Sequence, residues 1–320
     1  MIVAVTPAPA LDLTQHVGQM RLGESLRVAP PAARPGGKGL NVARVLAARG
    51  VPVAAVGPLG GERGKHVSDA LSRLAPQVAT RWVRVGALTR TSTALVEDGG
   101  RVTMLNEVAA PLSLDEHDAL RHAVVEQAEA EGPGAIVAIC GSWPADTPAT
   151  ALRSMVRQLH EVGAFVCADT SGELLLEAAA AGTDLLKPNI HELAEATGGD
   201  GIEASLQTLF DLGAREVLLS KGEDGMSHHT VHDRAGIGAR LYRVLTGNPT
   251  GAGDAAVAGW LAVAHELGHA PASTAERRRA LAAAVTWSAS AVLSPVAGEL
   301  GVDPQSLEAD VVFSPGFDGS

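Results

Sequence analysis

Aromatic residues and cysteines are scarce in this sequence of 320 residues. Phe, Trp and Tyr make up only 3% of the chain, whereas hydrophobic residues as a whole reach 46%. Ala, Val and Leu must therefore fill the core, and closely packed, Ala-rich helices are expected. The two cysteines, Cys140 and Cys167, each follow an apolar run, which indicates buried free thiols in a reducing compartment rather than a disulfide framework.

Clustered positive charge and long apolar segments are also lacking. The formal net charge is -11, which disfavours a nucleic-acid partner because phosphate neutralisation requires clustered Lys and Arg. No uncharged run approaches the roughly 20 residues of a membrane helix. The first residues contain no basic segment followed by a long apolar stretch, so no signal peptide is expected. We therefore expect a cytoplasmic protein without a nucleic-acid or membrane partner.

Two common nucleotide-binding signatures are missing. A P-loop requires Ser or Thr after its Gly-Lys pair, but Gly64-Lys65 is followed by His66, and Leu59 stands where the first Gly is required. The first apolar run, residues 1–6, leads into Pro-rich sequence instead of a Gly-x-Gly-x-x-Gly turn. These absences exclude P-loop GTPases and motor proteins and disfavour a dinucleotide-dependent dehydrogenase.

Helical and strand patterns alternate regularly after residue 112. Each predicted helix is followed by a short apolar strand, and this alternation is typical of a mainly parallel sheet covered on both faces. The tail after Val302 has weak periodicity, and we expect its end to be frayed. Helical periodicity is found near residues 114–131, 147–162, 173–181, 201–212, 251–268 and 275–293.

Short strand patterns predominate before residue 110. The segments at about 10–35 and 82–108 mix polar and apolar positions or alternate like half-exposed strands, and Gly99-Gly100 is typical of a hairpin turn. We expect one α/β domain over residues 1–320, with these two segments inserted as a small β-sheet that acts as a lid.

The strongest chemical signal is the sequence NPTGAGD at residues 248–254, which precedes an apolar helix. Gly251 and Gly253 allow a tight turn that exposes successive backbone N–H groups, including that of Ala252. Unpaired donors at a helix N-terminus favour anions such as a transferring phosphoryl group. Asp254 lies beside the same turn, where its carboxylate can accept a proton from an attacking hydroxyl. The alternative is a glycine-rich loop with an acidic helix cap.

A second glycine-rich turn, PGGKGLN at residues 35–41, also leads into a helix. It offers backbone donors near Gly37, a cation at Lys38 and the Asn41 amide, a combination that suits sugar hydroxyls and phosphate. An ordinary strand-to-helix turn is the alternative.

Together these two segments resemble the PfkB family of ribokinase-like carbohydrate kinases, which carries a Gly-Gly motif near its N-terminus and a GAGD motif near its C-terminus. The resemblance continues in KPNIHE at 187–192, similar to the family's Asn-x-x-Glu element, and in LLSKGEDG at 218–225, similar to a strand and turn that border the nucleotide. It implies a ribokinase-like three-layer α/β/α fold, a mainly parallel central sheet with a small β-sheet lid, and ATP-dependent kinase activity.

Several segments are more similar to the family's hexose-phosphate branch, which includes 1-phosphofructokinase and tagatose-6-phosphate kinase. Pro249, Thr250, Ala255, Trp143 and Lys221 depart from the branch pattern without removing the base or the glycines. The segments that carry the branch resemblance are 6–12 (TPAPALD), 41–44 (NVAR), 89–91 (TRT), 141–144 (GSWP), 169–172 (DTSG) and 187–189 (KPN).

The resemblance implies a role for each matching residue. Asp12 and Asn41 are expected to bind sugar hydroxyls close to the backbone of Gly37, and Asp254 to act as base. Mg²⁺ is expected near Asn189 and Glu192, held through water without a direct protein ligand. The residues expected at the substrate phosphate are Lys38, Arg90 and Ser142, and those expected at ATP are Lys187, Ser220, Gly222 and Gly225.

The resemblance leaves the substrate open among three ketohexose phosphates. Fructose 1-phosphate is the first expectation, with fructose 6-phosphate and tagatose 6-phosphate as alternatives. A kinase for a neutral sugar or nucleoside and a non-catalytic sugar-phosphate sensor are further alternatives. A lid sheet with exposed edges favours pairing with a second copy, so we expect a homodimer through the lid.

Two histidine patterns suggest metal sites that we do not expect. His265-Glu266-Leu267-Gly268-His269 fits the HExxH motif of zinc proteases, but a catalytic zinc requires a third protein ligand, and the helix already follows the GAGD turn. His228, His229 and His232 cannot converge easily, because neighbouring strand residues point to opposite faces.

Overall fold

The computed structural model describes residues 1–199 and 201–316. Fourteen strands lie in this described part of the chain and divide into a ten-stranded sheet and a four-stranded sheet. In chain order the strands are β1 (Ile2–Val5), β2 (Ala10–Val17), β3 (Ala32–Gly36), β4 (Val53–Leu59), β5 (Ala79–Arg84), β6 (Arg90–Glu97), β7 (Val102–Asn106), β8 (Ile136–Cys140), β9 (Phe165–Asp169), β10 (Leu185–Leu186), β11 (Glu216–Ser220), β12 (Met226–Thr230), β13 (Ile237–Leu241) and β14 (Val311–Pro315).

The large sheet has the order β14-β13-β12-β11-β10-β9-β8-β1-β4-β5. Seven neighbouring strands, from β11 to β5, are parallel, and β12, β13 and β14 add to one side in antiparallel pairs. The central strands are buried on both faces, as the continuous apolar runs of the sequence predict. The carboxyl ends of the parallel strands consequently meet along one edge, where side chains from distant parts of the sequence can converge.

Nine α-helices are present in the described residues, and two hydrophobic clusters separate them into a layer on each face of the large sheet. None of these helices combines the length and the apolar character needed to cross a bilayer. The expected three-layer α/β/α architecture is confirmed. The helices are α1 (Lys38–Ala48), α2 (Gly61–Leu74), α3 (Leu114–Glu131), α4 (Ala149–Glu161), α5 (Glu173–Ala180), α6 (Ile190–Thr197), α7 (Ile202–Leu212), α8 (Ala252–Leu267) and α9 (Thr274–Val292).

The small sheet has the order β3-β2-β6-β7. β2 pairs antiparallel with β3 and parallel with β6, and β7 closes the hairpin predicted around Gly99-Gly100. Because β2 follows β1 after only a short connection, the small sheet begins directly beside the carboxyl edge of the large sheet. The expected separate sheet is confirmed, and its action as a lid stays a prediction.

One boundary of the expected lid is wrong. Strand β5, which overlaps the start of the predicted segment 82–108, pairs with β4 in the large sheet, so the small sheet resumes only at Arg90. The cause of the error is that β5 is an edge strand of the large sheet. An edge strand is half-exposed and alternates in the same way as a strand of a small, solvated sheet.

Two helices were not predicted. Helix α2 lies where only strands were expected, and it buries a narrow stripe formed by Gly64, Val67, Ala70 and Leu71, too few apolar positions for a clear helical period. Helix α6 has eight residues and only Leu193 buried. At the other end of the chain, the weakly periodic tail forms a 3₁₀ turn and β14, and residues 317–320, where fraying was expected, lie outside the described residues.

Candidate active site

Asp254 lies in the first turn of α8, the helix predicted near residues 251–268. Gly251 is the N-cap of this helix and has a left-handed backbone (φ 85°), a conformation that a side chain would strain. The turn therefore aims the first N–H groups of α8 towards the cleft. The Asp254 side chain is buried at this helix start, with 5% of the residue exposed.

Asn41 on α1 fixes the orientation of this carboxylate. Its Nδ2 donates a hydrogen bond to Asp254 Oδ2 at 2.8 Å. The pKa of Asp254 is raised to about 6, first by burial and then by the nearby Asp169 carboxylate, while the Asn41 hydrogen bond and the ammonium groups of Lys38 and Lys187 oppose this increase. A carboxylate with this pKa is ionised at neutral pH and is a stronger base than an exposed aspartate.

Asp169, at the carboxyl end of β9, binds two lysines. Its Oδ1 accepts from Lys38 Nζ at 2.8 Å, and its Oδ2 lies 3.4 Å from Lys187 Nζ. Burial alone would raise the pKa of Asp169, but the two ammonium groups outweigh burial and lower it. Lys38 also lies 3.5 Å from Glu192 Oε1, and these carboxylates raise its pKa in spite of burial. The cluster therefore holds fixed charges of both signs at the carboxyl end of β9.

Lys187 directs its ammonium group towards the GAGD turn. A β-carbon at Gly253 would lie 3.2 Å from Lys187 Nζ, so the cation lies directly beside this glycine. Lys187 itself is 3% exposed. A positive charge and a helix N-terminus therefore face the same point, which is the arrangement that stabilises a transferring phosphoryl group.

A cleft of about 820 Å³ extends from this point between β11, α9 and the chain leading to α8. Asn189 and Ser220 form an isolated parallel β-bridge through their backbones at the carboxyl edge of the sheet. Asn189 caps α6, where Asn189 Oδ1 accepts from the His191 and Glu192 N–H groups. The sequence-predicted residues that line the cleft are Asn189, Ser220, Gly222, Gly225, Ala252 and Gly253.

The small sheet supplies the other side of the site. Asp12 on β2 packs directly on Gly36, where an added β-carbon would lie 2.0 Å from its Oδ1. Burial raises the pKa of Asp12 to about 6, against the opposing effect of Arg90 and Arg44, and Asp254 adds to the increase. Arg90 on β6 donates from Nε to the Ala8 carbonyl at 3.2 Å. Asp12, Arg90 and Asp254 therefore lie within electrostatic range of one another.

The remaining predicted residues lie at the rim. Gly37 is the N-cap of α1, as its position before the predicted helix requires. Ser142 is exposed in the segment after β8, and its neighbour Gly141 packs against the Lys38 side chain. Most of the predicted residues thus contact one another directly. Ser142 is near them only because its neighbour Gly141 lies against Lys38. Their individual binding roles stay predictions.

Sequence reasoning missed the roles of three charged residues. Asp169 was noted within a branch motif but received no role, although a polar residue that ends a buried parallel strand is a recognisable signal. Arg44 was likewise noted only within a branch segment, and Glu299 was missed altogether. Arg44 Nη2 donates to Glu299 Oε1 at 2.8 Å, and this contact joins residues 255 positions apart. No local pattern indicates such a pair.

Comparisons with known proteins agree with this geometry. The family model described as pfkB family carbohydrate kinase matches residues 10–300. The 1-phosphofructokinase of Bacillus subtilis (strain 168) is 32% identical over 267 residues, which cover 82% of this chain and 85% of that protein.

Solved structures share the fold over almost the whole chain. Two structures of phosphofructokinase-2 from Escherichia coli, the tetrameric inhibited form and the complex with fructose-6-phosphate, have TM-scores of 0.85 and 0.84 at 26% and 27% identity. Each comparison covers 96% of this chain and 98% of the other. A possible 1-phosphofructokinase from Thermotoga maritima, at 19% identity and a TM-score of 0.81, shows the same fold over 98% of this chain and 99% of its own.

A buried carboxylate with a raised pKa, a glycine-rich helix start and a cleft of about 820 Å³ therefore occur together in a chain that a carbohydrate kinase model matches over most of its length. The chain belongs to the pfkB family of carbohydrate kinases and is an ATP-dependent sugar kinase.

Proposed function

We propose that this kinase phosphorylates fructose 1-phosphate with ATP to give fructose 1,6-bisphosphate and ADP. The observation that carries the proposal is the Asp254 carboxylate, held by Asn41 beside the GAGD turn, between the cleft and the small sheet. The 32% identity to a 1-phosphofructokinase supports the choice of sugar. Lys38 and Arg90 supply cations near this point, and a dianionic substrate requires them because burying unpaired charge is costly.

In the proposed reaction the sugar hydroxyl lies between Asp254 and the γ-phosphate of ATP. Its oxygen forms a bond to the γ-phosphorus while the bond to the bridging oxygen of ADP breaks, and the hydroxyl proton passes to an oxygen of Asp254. The N–H groups of Ala252, Gly253 and Asp254 and the Lys187 ammonium stabilise the charge on the transferring group. Asp12 and Asn41 orient the sugar.

We propose that a magnesium ion lies near Asn189 and Glu192 and binds mainly through water and phosphate. Asp169 Oδ2 lies 3.4 Å from Lys187 Nζ, Glu192 Oε1 lies 3.5 Å from Lys38 Nζ, and Glu192 Oε2 accepts a hydrogen bond from the Asn189 N–H, so these carboxylates are already partnered and would contact the ion through water. Among the described residues no group of three His, Cys, Asp or Glu side chains could hold a metal directly. Mg²⁺ commonly retains water and binds few carboxylates, and at the β- and γ-phosphates it would neutralise charge there.

We propose that the small sheet acts as a lid. It carries Asp12 and Arg90 and lies beside the carboxyl edge of the large sheet. Closure of such an element over the two substrates excludes water and so limits ATP hydrolysis.

Fructose 6-phosphate is the second candidate substrate, because a phosphofructokinase-2 with the same fold is solved in complex with it. ADP release with fructose 1-phosphate, fructose 6-phosphate, tagatose 6-phosphate, ribose and adenosine decides between them. We expect kcat/KM for fructose 1-phosphate to exceed that for every other acceptor by at least about tenfold, since a phosphate at the wrong carbon loses its contacts with Arg90 and Lys38. A higher kcat/KM for fructose 6-phosphate assigns the second candidate, and ADP release only with ribose or adenosine contradicts both.

We also propose a homodimer that forms through the small sheet. Strand β7 is an edge strand of that sheet, and Val102, Met104 and Leu105 on it are about half exposed, an arrangement that favours pairing with a second copy. We expect a dimeric mass at micromolar concentration, and we expect Leu105→Glu to give a monomer of unchanged thermal stability. A monomeric mass for the unmodified protein at that concentration contradicts the proposal.

A cytoplasmic location is proposed on two grounds. The substrate ATP belongs to that compartment, and Cys140 and Cys167 are buried free thiols, as expected in reducing surroundings.

A further inference from the structure

Residues 294–301, here called the Gly298 loop, follow α9. They pack against Asn41, which binds the proposed base, and against Gly251 at the start of α8. Gly298 has a left-handed backbone (φ 74°), and an added β-carbon would lie 2.8 Å from Asn41 Oδ1. A β-carbon at Gly251 would lie 3.1 Å from Ala297 Cα and 3.1 Å from the Gly298 nitrogen. The loop therefore touches the N-cap of α8, which begins the phosphoryl-binding turn, and also the amide that holds Asp254.

Two arginines bind Glu299 of this loop, and one of them also binds the Ala297 carbonyl. Arg44 on α1 is 6% exposed; its Nη1 donates to the Ala297 carbonyl at 3.1 Å, and its Nη2 donates to Glu299 Oε1 at 2.8 Å. Arg34 Nη1 donates to the same Glu299 oxygen. Arg44 lies one turn after Asn41, so the helix that orients Asp254 also fixes the loop.

Arg34 belongs to the small sheet. It lies on β3 directly opposite Asp12 on β2, so the two residues move together when the sheet moves. Glu299 is therefore the point where the proposed lid, α1 and the Gly298 loop are joined. The Glu299 side chain is 42% exposed, and such an exposed ion pair adds little to the free energy of unfolding. Its main effect is therefore to hold the Gly298 loop, α1 and β3 in a fixed relative position.

We infer that Glu299 is a positioning residue that couples the small sheet to the phosphoryl-transfer centre. When Arg34 binds Glu299, the Gly298 loop stays in contact with Asn41 and Gly251. These contacts hold the Asp254 carboxylate and the GAGD turn in the positions needed for phosphoryl transfer. When the small sheet moves away, Glu299 keeps only Arg44, and the loop loses its contact with β3. The inference rests on the proposed role of Asp254 as base.

Glu299→Gln tests this coupling, because glutamine keeps the shape of the side chain but removes its charge. We expect kcat to fall about tenfold, since small misplacements of reacting groups are costly, with KM for ATP unchanged within about twofold. A looser Asn41–Asp254 hydrogen bond raises the pKa of Asp254, because that bond lowers it in the intact site. The acid limb of the kcat–pH profile is therefore expected to move to higher pH.

The matched control is Asp303→Asn. Asp303 Oδ1 binds Arg49 at 3.1 Å and so joins the same helix to the chain just after the Gly298 loop, yet among the described contacts this pair reaches neither β3 nor Asn41. We expect Asp303→Asn to leave kcat unchanged within about twofold and the acid limb at the same pH.

The second variant is Arg34→Met, alone and combined with Glu299→Gln. If both residues act through one contact, the double variant is no slower than Glu299→Gln within about twofold.

Four outcomes overturn the inference: normal kcat in Glu299→Gln, a lower thermal midpoint with an unmoved acid limb, an equal loss in Asp303→Asn, or losses that multiply in the double variant. Asp254→Asn is measured in parallel to separate two kinds of failure. If Asp254→Asn is inactive while Glu299→Gln keeps the kcat and the acid limb of the unmodified enzyme, only the coupling is wrong. If Asp254→Asn keeps both its turnover and its acid limb, the base assignment and the coupling are both wrong.

Discussion

Asp254→Asn is expected to reduce kcat by at least ~10²-fold while leaving KM for the sugar phosphate nearly unchanged. The amide is nearly the same size as the carboxylate and keeps one oxygen that can accept the Asn41 hydrogen bond at the same place. It cannot accept the hydroxyl proton, so the loss falls on the chemical step. Steady-state kinetics with saturating ATP and a fluorescence or calorimetric titration of the sugar phosphate separate the two quantities.

The pH profile gives a second measurement of the same group. In the unmodified enzyme, kcat is expected to fall as the pH drops through about 6, because protonation removes the base. Burial raises this pKa above the ordinary range of aspartate, so the fall occurs at higher pH than for an exposed carboxylate. In Asp254→Asn the residual rate should show no such limb. Turnover of Asp254→Asn close to that of the unmodified enzyme would remove the residue from this role.

Lys187→Met is expected to reduce kcat by about 10²–10³-fold, the cost of losing one preorganised charge or donor from a transition state. The ammonium group lies beside Gly253, at the start of α8, and little water can replace it because the side chain is 4% exposed. The sugar-phosphate KM should change little, since the predicted sugar contacts come from other residues. Initial rates over a matrix of ATP and sugar-phosphate concentrations provide both values.

The chain offers a matched control in Lys65→Met. Only four lysines occur in the sequence, and Lys65 is exposed on α2, away from the cleft. The same substitution there should leave kcat within about twofold, because exposed positions contribute little. Since Lys187→Met also leaves Asp169 with one cationic partner, its thermal midpoint must be recorded, and Lys187→Arg serves as a variant that keeps the charge. Equal activity in Lys187→Met and Lys65→Met would contradict the assignment.

Both predictions depend on the same electrostatic feature of the site. Asp169 is fully buried between two ammonium groups, and Asp254 is buried beside them without a cation of its own in hydrogen-bond contact. Burial therefore has different outcomes for the two carboxylates: the pKa of Asp169 is lowered, whereas that of Asp254 is raised to about 6. One carboxylate holds charges in place, and the other is suited to accept a proton.

The fold class followed from periodicity because most helices and strands after residue 112 bury a clear face. Helix α3 begins and ends where the pattern predicted. Ser113, just before its first residue, forms a capping box with Glu116. Prediction was wrong where burial is incomplete, as for α2 and for the edge strand β5. An edge strand and a lid strand have the same alternation, so only pairing with β4 assigns β5 to the large sheet.

The GAGD turn was recognised because its signal is local. Gly251, Gly253 and Asp254 are close in sequence, and their backbone requirements are fixed by residue type. The sequence by itself therefore determined the three-layer fold, the position of the proposed base and the family. Tertiary structure alone decided what surrounds that base: Asp169 between two lysines, Asn41 against Asp254, and Glu299 between the small sheet and α1. These contacts join residues 131, 213 and 265 positions apart, distances over which neither helical nor strand periodicity carries information.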